Sequence, residues 1–117
     1  MKIVTKQIES MGVSINYTVG KNDQDNDDII DSAKPNDIWF HLGDASSAHV
    51  IANIPDDLIL NKKQLKLIII QGAVVCKEVS KYKSQSNVRV VYTKIKNIVK
   101  TETPGRVIMV DAKELII

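Results

Sequence analysis

Disulfide chemistry is closed to this chain, because Cys76 is the only cysteine among its 117 residues. One thiol cannot form an internal bridge or a paired-cysteine metal site. Helix breakers and rings are scarce as well: three prolines, five glycines and 4% aromatics leave no low-complexity tract, internal repeat or interdomain linker. The most apolar uncharged stretch, Leu67 to Cys76, falls far short of the ~20 residues that span a bilayer, so membrane insertion is not expected. The start, Met1-Lys2-Ile3-Val4-Thr5-Lys6, lacks the apolar core of a secretion signal, and the expected compartment is cytoplasm, with or without nucleus. What is present, 44% apolar and 26% charged residues, suits one domain (1–117) with its own core.

The net charge of +2 conceals a strong asymmetry. Residues 1–57 hold four lysines against ten acids, and residues 58–117 hold twelve basic residues against four acids. Between positions 77 and 101, Lys77, Lys81, Lys83, Arg89, Lys94, Lys96 and Lys100 stand against Glu78 alone. Such a local excess attracts phosphate backbones, although a solvated lysine-rich face would read the same way.

Hydrophobic periodicity predicts strands, then helix, then strands. Met1 to Ile8 and Val13 to Val19 read as a hairpin about Ser10-Met11-Gly12. The polar run Gly20 to Asp28 offers cap chemistry for a short helix over about 24–33, ending before Pro35. Asp37 to Leu42 and Ala48 to Ile54 read as strands. Asn61 with Gln64 forms a capping-box pattern for a long helix over about 61–80. The stretches 87–93, 106–110 and 113–117 read as further strands. The expected architecture is an α+β fold with a mostly antiparallel sheet.

Both histidines and the only tryptophan fall within Asp37-Ile38-Trp39-Phe40-His41 and Ser46-Ser47-Ala48-His49-Val50. Strand alternation sets Ile38, Phe40 and Leu42 toward a core and Asp37, Trp39 and His41 on the other face, a candidate site. There Trp39 would offer a stacking surface for a base, unless it is simply a core residue. Tyr92 between Arg89 and Lys94 repeats the pairing of an aromatic with cations. His41 and His49, with Asp37 and Asp44 nearby, have three open roles: hydrogen-bonded turn residues, contacts to a base or phosphate, or metal ligands. No metal-ligand spacing is recognisable, so neither metal nor cofactor is expected. Ser46 and Ser47 near His49 lack a nucleophile-elbow context and read as turn-shaping or phosphate-donating hydroxyls. No catalytic constellation is recognisable, and an enzyme is not expected.

These stretches, taken in order with Gly20-Lys21-Asn22, Gln24-Asp25-Asn26-Asp27, Ser80-Lys81, Val91-Tyr92-Thr93, Val99-Lys100 and Pro104-Gly105, resemble the NFACT-R (NFACT RNA-binding) domain family, in its small single-domain type. The resemblance implies RNA binding, to tRNA or ribosomal RNA with DNA as the alternative polymer, and a link to the ribosome and translation quality control. For an RNA-binding module the expected contact residues are Lys21, Asn22, Trp39, His41, Ser47, His49, Lys81, Arg89, Tyr92, Lys94, Lys96 and Lys100. Ser46-Ser47-Ala48 replaces the proline-glycine-serine turn of longer members, and 117 residues leave no room for their other domains or coiled coil. Peptide tailing is therefore not expected of this chain alone. A protein-interaction adaptor using the same tryptophan–histidine face is the alternative, and an enzyme acting on RNA is a third reading that the histidine pair permits and nothing requires.

Overall fold

A computed structural model describes residues 1–117. Eight strands and two α-helices follow in order: β1 (Lys2–Ile8), β2 (Val13–Val19), α1 (Asp23–Ser32), β3 (Ile38–Leu42), β4 (Val50–Asn53), α2 (Lys62–Glu78), β5 (Arg89–Lys94), β6 (Ile98–Lys100), β7 (Val107–Met109) and β8 (Lys113–Ile116). Six strands form one sheet in the order β1-β2-β4-β3-β5-β8, with every pairing antiparallel. The α+β expectation holds, as do the hairpin closed by Gly12 at φ 65° and both helices. The capping box is in place: Gln64 N–H donates to Asn61 Oδ1 at 2.8 Å, and Asn61 N–H donates to Gln64 Oε1 at 3.1 Å.

One departure concerns residues 98–110. Val107–Met109 does not join the main sheet but pairs with Ile98–Lys100 in a separate two-stranded sheet. Three-residue strands are too short for alternation to reveal, which is why β6 escapes the sequence pattern.

Alternation sorts the sheet into one broadly buried face and a second that is buried at its centre. On one, Ile15, Tyr17, Val19, Ile38, Phe40, Leu42, Val50, Ala52 and Val90 meet Ile68, Ala73, Val75 and Cys76 of α2. The approach is close: a Cβ on Gly72 would lie 2.1 Å from Phe40 Cζ, so only glycine lets α2 rest on that ring. Tyr17 adds a polar tie, its hydroxyl donating to the Ile68 carbonyl at 2.8 Å. The last turn of α2 reaches both edges of the sheet, through Lys77 Nζ to the Ile117 carbonyl at 3.2 Å and Glu78 to Lys6 at 3.4 Å. The sheet therefore curves around α2. On the opposite face Trp39 and Ile51 pack with Ile29 and Ile30 of α1 and with Ile95, flanked by Val91, Ile98 and Val107.

The packing of α2 on Phe40 yields a direct expectation. Gly72→Val forces overpacking and lowers unfolding stability by about 3 kcal/mol. Urea denaturation checks it; an unchanged midpoint would contradict the close approach.

Candidate nucleic-acid interface

The second face of the sheet carries the histidines. Because α1 and the β6–β7 sheet cover it, Trp39 is only 1% exposed, and the expected stacking platform is a core residue instead. Its indole N–H donates to His49 Nδ1 at 3.1 Å, so that nitrogen carries no proton. His49 N–H in turn donates to Asn26 Oδ1 of α1 at 3.1 Å. His41 is half-buried, stacks on Trp39 with ring centroids 5.7 Å apart and planes 7° apart, and meets His49 edge-on at 5.2 Å. The His41 Nδ1–H donates to its neighbour, the Leu42 carbonyl, at 2.6 Å, which leaves Nε2 free.

Burial pushes His49 down to about 4, and the adjacent His41 adds to the effect; Asp27, the Gly105 backbone and Asp23 oppose it without prevailing. Burial also lowers His41, against the Leu42 carbonyl. Asp37 is spent on structure, accepting from Lys34 N–H at 2.9 Å and Ile54 N–H at 2.9 Å.

Beside this cluster lies an open cleft of about 790 Å³. It is lined by His41, Gly43, Arg89 and Val91 on and beside the sheet, and by Asp23, Ser46, Thr103 to Val107 and Met109. The 103–107 loop is held to α1 by Gly105 N–H donating to Asp27 Oδ1 at 2.9 Å.

The remaining expected contact residues disperse. Arg89 is clamped: Nε and Nη2 donate to Asp44 at 3.3 and 3.1 Å, Nη2 also donates to the Gly43 carbonyl at 3.1 Å, and Nη1 donates to Glu114. Two carboxylates thus occupy most of its donors. Lys100 is paired with Asp31 of α1. Asn22 is the N-cap of α1, its side chain accepting from Asp25 N–H at 2.8 Å, while Lys21 beside it is exposed. Ser47 shapes the turn, accepting from Leu42 N–H at 3.1 Å and donating to the Ala48 carbonyl at 3.2 Å.

Tyr92 lies on the other side of the sheet from Trp39 and His41. The register pairs Phe40 with Tyr92 and His41 with Val91, so Tyr92 faces the α2 side and tilts against Phe40 at 6.2 Å. Lys94 shares that side by alternation, and so does Lys113, which stands opposite Tyr92. Lys81 and Lys96 are exposed, and Lys81, Lys94, Lys96 and Lys113 make no ion pair.

Charge follows the layers. α1 carries Asp23, Asp25, Asp27, Asp28 and Asp31 with no base, whereas α2 carries Lys62, Lys63, Lys66 and Lys77 against Glu78. The exposed Lys62, Lys63 and Lys66 escaped the sequence reading, as did Lys113 and the cleft's Arg106. Lysines at helical spacing were visible in the chain; the meeting of Lys113 with Tyr92 exists only through register.

A layered fold of this kind is shared by the C-terminal part of the fibronectin/fibrinogen-binding protein of Streptococcus suis, with a TM-score of 0.76, 25% identity, and coverage of all of this chain and 45% of that one. The NFACT protein RNA binding domain matches residues 6–111, and the chain belongs to that family. It is 38% identical to mouse coiled-coil domain-containing protein 25 over 100 residues, covering 75% of this chain and 43% of the relative. The bovine counterpart is 38% identical over 97 residues, covering 73% of this chain and 42% of the relative. The chain thus spans less than half the length of these relatives. Family membership supports a general RNA-binding role, and no helix is long and apolar enough to cross a membrane.

His49 makes stability depend on pH. An unfolded histidine takes up its proton near 6.5, whereas native His49 resists it until about 4. Above 6.5 both states are neutral; between 6.5 and 4 only the unfolded state is charged, so stability falls as pH falls. The stability advantage of wild type over His49→Gln is expected to shrink by about 3 kcal/mol across that window, followed by urea denaturation. An advantage equal at pH 7 and pH 4.5 would contradict a neutral buried His49.

Proposed function

We propose that this chain is a non-catalytic module that binds RNA of the translation machinery, tRNA or ribosomal RNA, in the cytoplasm, through the α2 side of its sheet. The observation that carries this reading is the segregation of charge. Five aspartates sit on the α1 layer, while Lys62, Lys63, Lys66, Lys94 and Lys113 sit on the α2 side without acidic partners. A phosphate chain is drawn to one side of the sheet and turned away from the other. Tyr92, half-buried between Lys94 and Lys113, supplies an aromatic surface within the cationic side. The family's general role supports RNA as the polymer, and the resemblance to multidomain members supports translation quality control as its setting.

A protein partner is the second reading, favoured by Val99, Ile108 and Val110, which stand 56%, 59% and 53% exposed on and beside the β6–β7 sheet. Salt separates the two. Binding of labelled tRNA or single-stranded RNA is expected to weaken steeply with salt, by about −0.7 in log–log slope for each single-strand phosphate contacted. The triple variant Lys62→Glu, Lys63→Glu, Lys66→Glu is expected to lose at least about tenfold in affinity for all sequences alike and to flatten that slope by about 2. A folded wild type that ignores RNA at low salt would refute the reading.

A further inference from the structure

The clamp on Arg89 leaves this side chain one remaining use. Every nitrogen of the guanidinium is engaged at its edge by Asp44, Glu114 or the Gly43 carbonyl, and the two carboxylates outweigh its charge. Four of its five N–H donors are taken, so a phosphate would find a single Nη1–H beside two carboxylates. The faces of the guanidinium are a different matter. A Cβ built on Gly43 would lie 2.6 Å from Nε, 2.7 Å from Cζ and 2.9 Å from Nη2. Near-equal distances to three atoms of one plane, central carbon included, put the Gly43 Cα–H over that plane, while its carbonyl reaches Nη2. Gly43 therefore covers one face and leaves the opposite one uncovered; Arg89, its side chain 34% exposed, lines this cleft and also a smaller cavity bounded by Tyr82, Gln85 and Asn87.

A flat cation held at four of its five donors, open on one face and set in a cleft, suits a flat neutral partner. Nucleobases stack on guanidinium planes as they do on aromatic rings. The rest of the cleft matches such a guest. His41 lines the cleft with Nε2 uncommitted, Ser46 and Thr103 are hydroxyl-bearing residues of the lining, and Arg106 is an exposed cation that makes no ion pair. A volume of about 790 Å³ is ample for one nucleotide. β8 is the edge strand, with Lys113 on the α2 side and Glu114 on the cleft side, so a chain passing this edge can keep phosphates at the lysines and turn one base into the cleft.

The geometry points to this cleft as the receptor for a single unpaired base of RNA, stacked on the free face of Arg89 beside His41; this rests on the RNA-binding reading and adds to it a site that reads bases rather than phosphates.

The test compares fluorescence-polarisation binding of a labelled single-stranded decaribonucleotide with that of an abasic ribose-phosphate chain of the same length, at near-physiological salt. Wild type is expected to prefer the base-bearing strand by about tenfold. Arg89→Lys keeps the charge and loses the plane, and is expected to bind both strands with the wild-type affinity for the abasic one and an unchanged salt slope. His41→Ala, which leaves the clamp alone, is expected to reduce the preference severalfold and carries the test if Arg89→Lys does not fold. Equal wild-type affinity for both strands overturns the base cleft while leaving RNA binding intact, as does a preference surviving in folded Arg89→Lys and in His41→Ala. Failure of wild type to bind either strand overturns the RNA reading together with the cleft.

Discussion

Trp39 can be buried only because its indole N–H finds an acceptor, and His49 Nδ1 at 3.1 Å is that acceptor. Around this one bond the second face of the sheet is organised. The indole needs cover, which α1 supplies through Ile29 and Ile30, with Ile95, Ile98 and Val107 beside it. His49 must remain unprotonated at Nδ1 to accept, and burial keeps it so. Its backbone N–H holds Asn26 of α1, and Asp27 on the next position holds the 103–107 loop at Gly105. The 103–107 loop at the cleft therefore hangs from the same few residues that satisfy the tryptophan.

The consequence is that the centre of the sheet, β3 and β4, is buried on both sides, while β1, β2 and β8 keep exposed residues. A strand in that position needs apolar residues at odd and even positions alike, and Ile38-Trp39-Phe40-His41-Leu42 comes close to that composition. Phe40 against Gly72 and Trp39 against His49 are the two halves of one arrangement. They also divide the charge, since the acidic helix lies over one and the lysine-rich helix over the other.

Most of the fold was legible in the chain because strong local signals coincide with the elements. Alternation from Lys2 to Val19, the Asn61–Gln64 cap and the helical spacing of Leu65, Ile68, Ile69 and Gly72 each act over a few residues. The site was less legible, because its organisation depends on which elements cover which face. Periodicity places Trp39 and His41 together, and they do lie on one face, but it cannot reveal that α1 buries them. It places Tyr92 near Arg89 and Lys94 in sequence, yet register carries Tyr92 to the other side of the sheet from Arg89. Nor can a charge count reveal that Arg89 is neutralised by Asp44, 45 positions away, and by Glu114, 25 positions away.

The most direct test of charge-layered RNA recognition is an amide NMR titration of the whole chain with a short single-stranded RNA at low salt. The account predicts chemical-shift changes at Lys62 to Lys66, Tyr92 to Lys94 and Lys113, with the outer face of α1 silent. Changes concentrated on Asp23 to Ser32, with α2 and β5 unmoved, would contradict it.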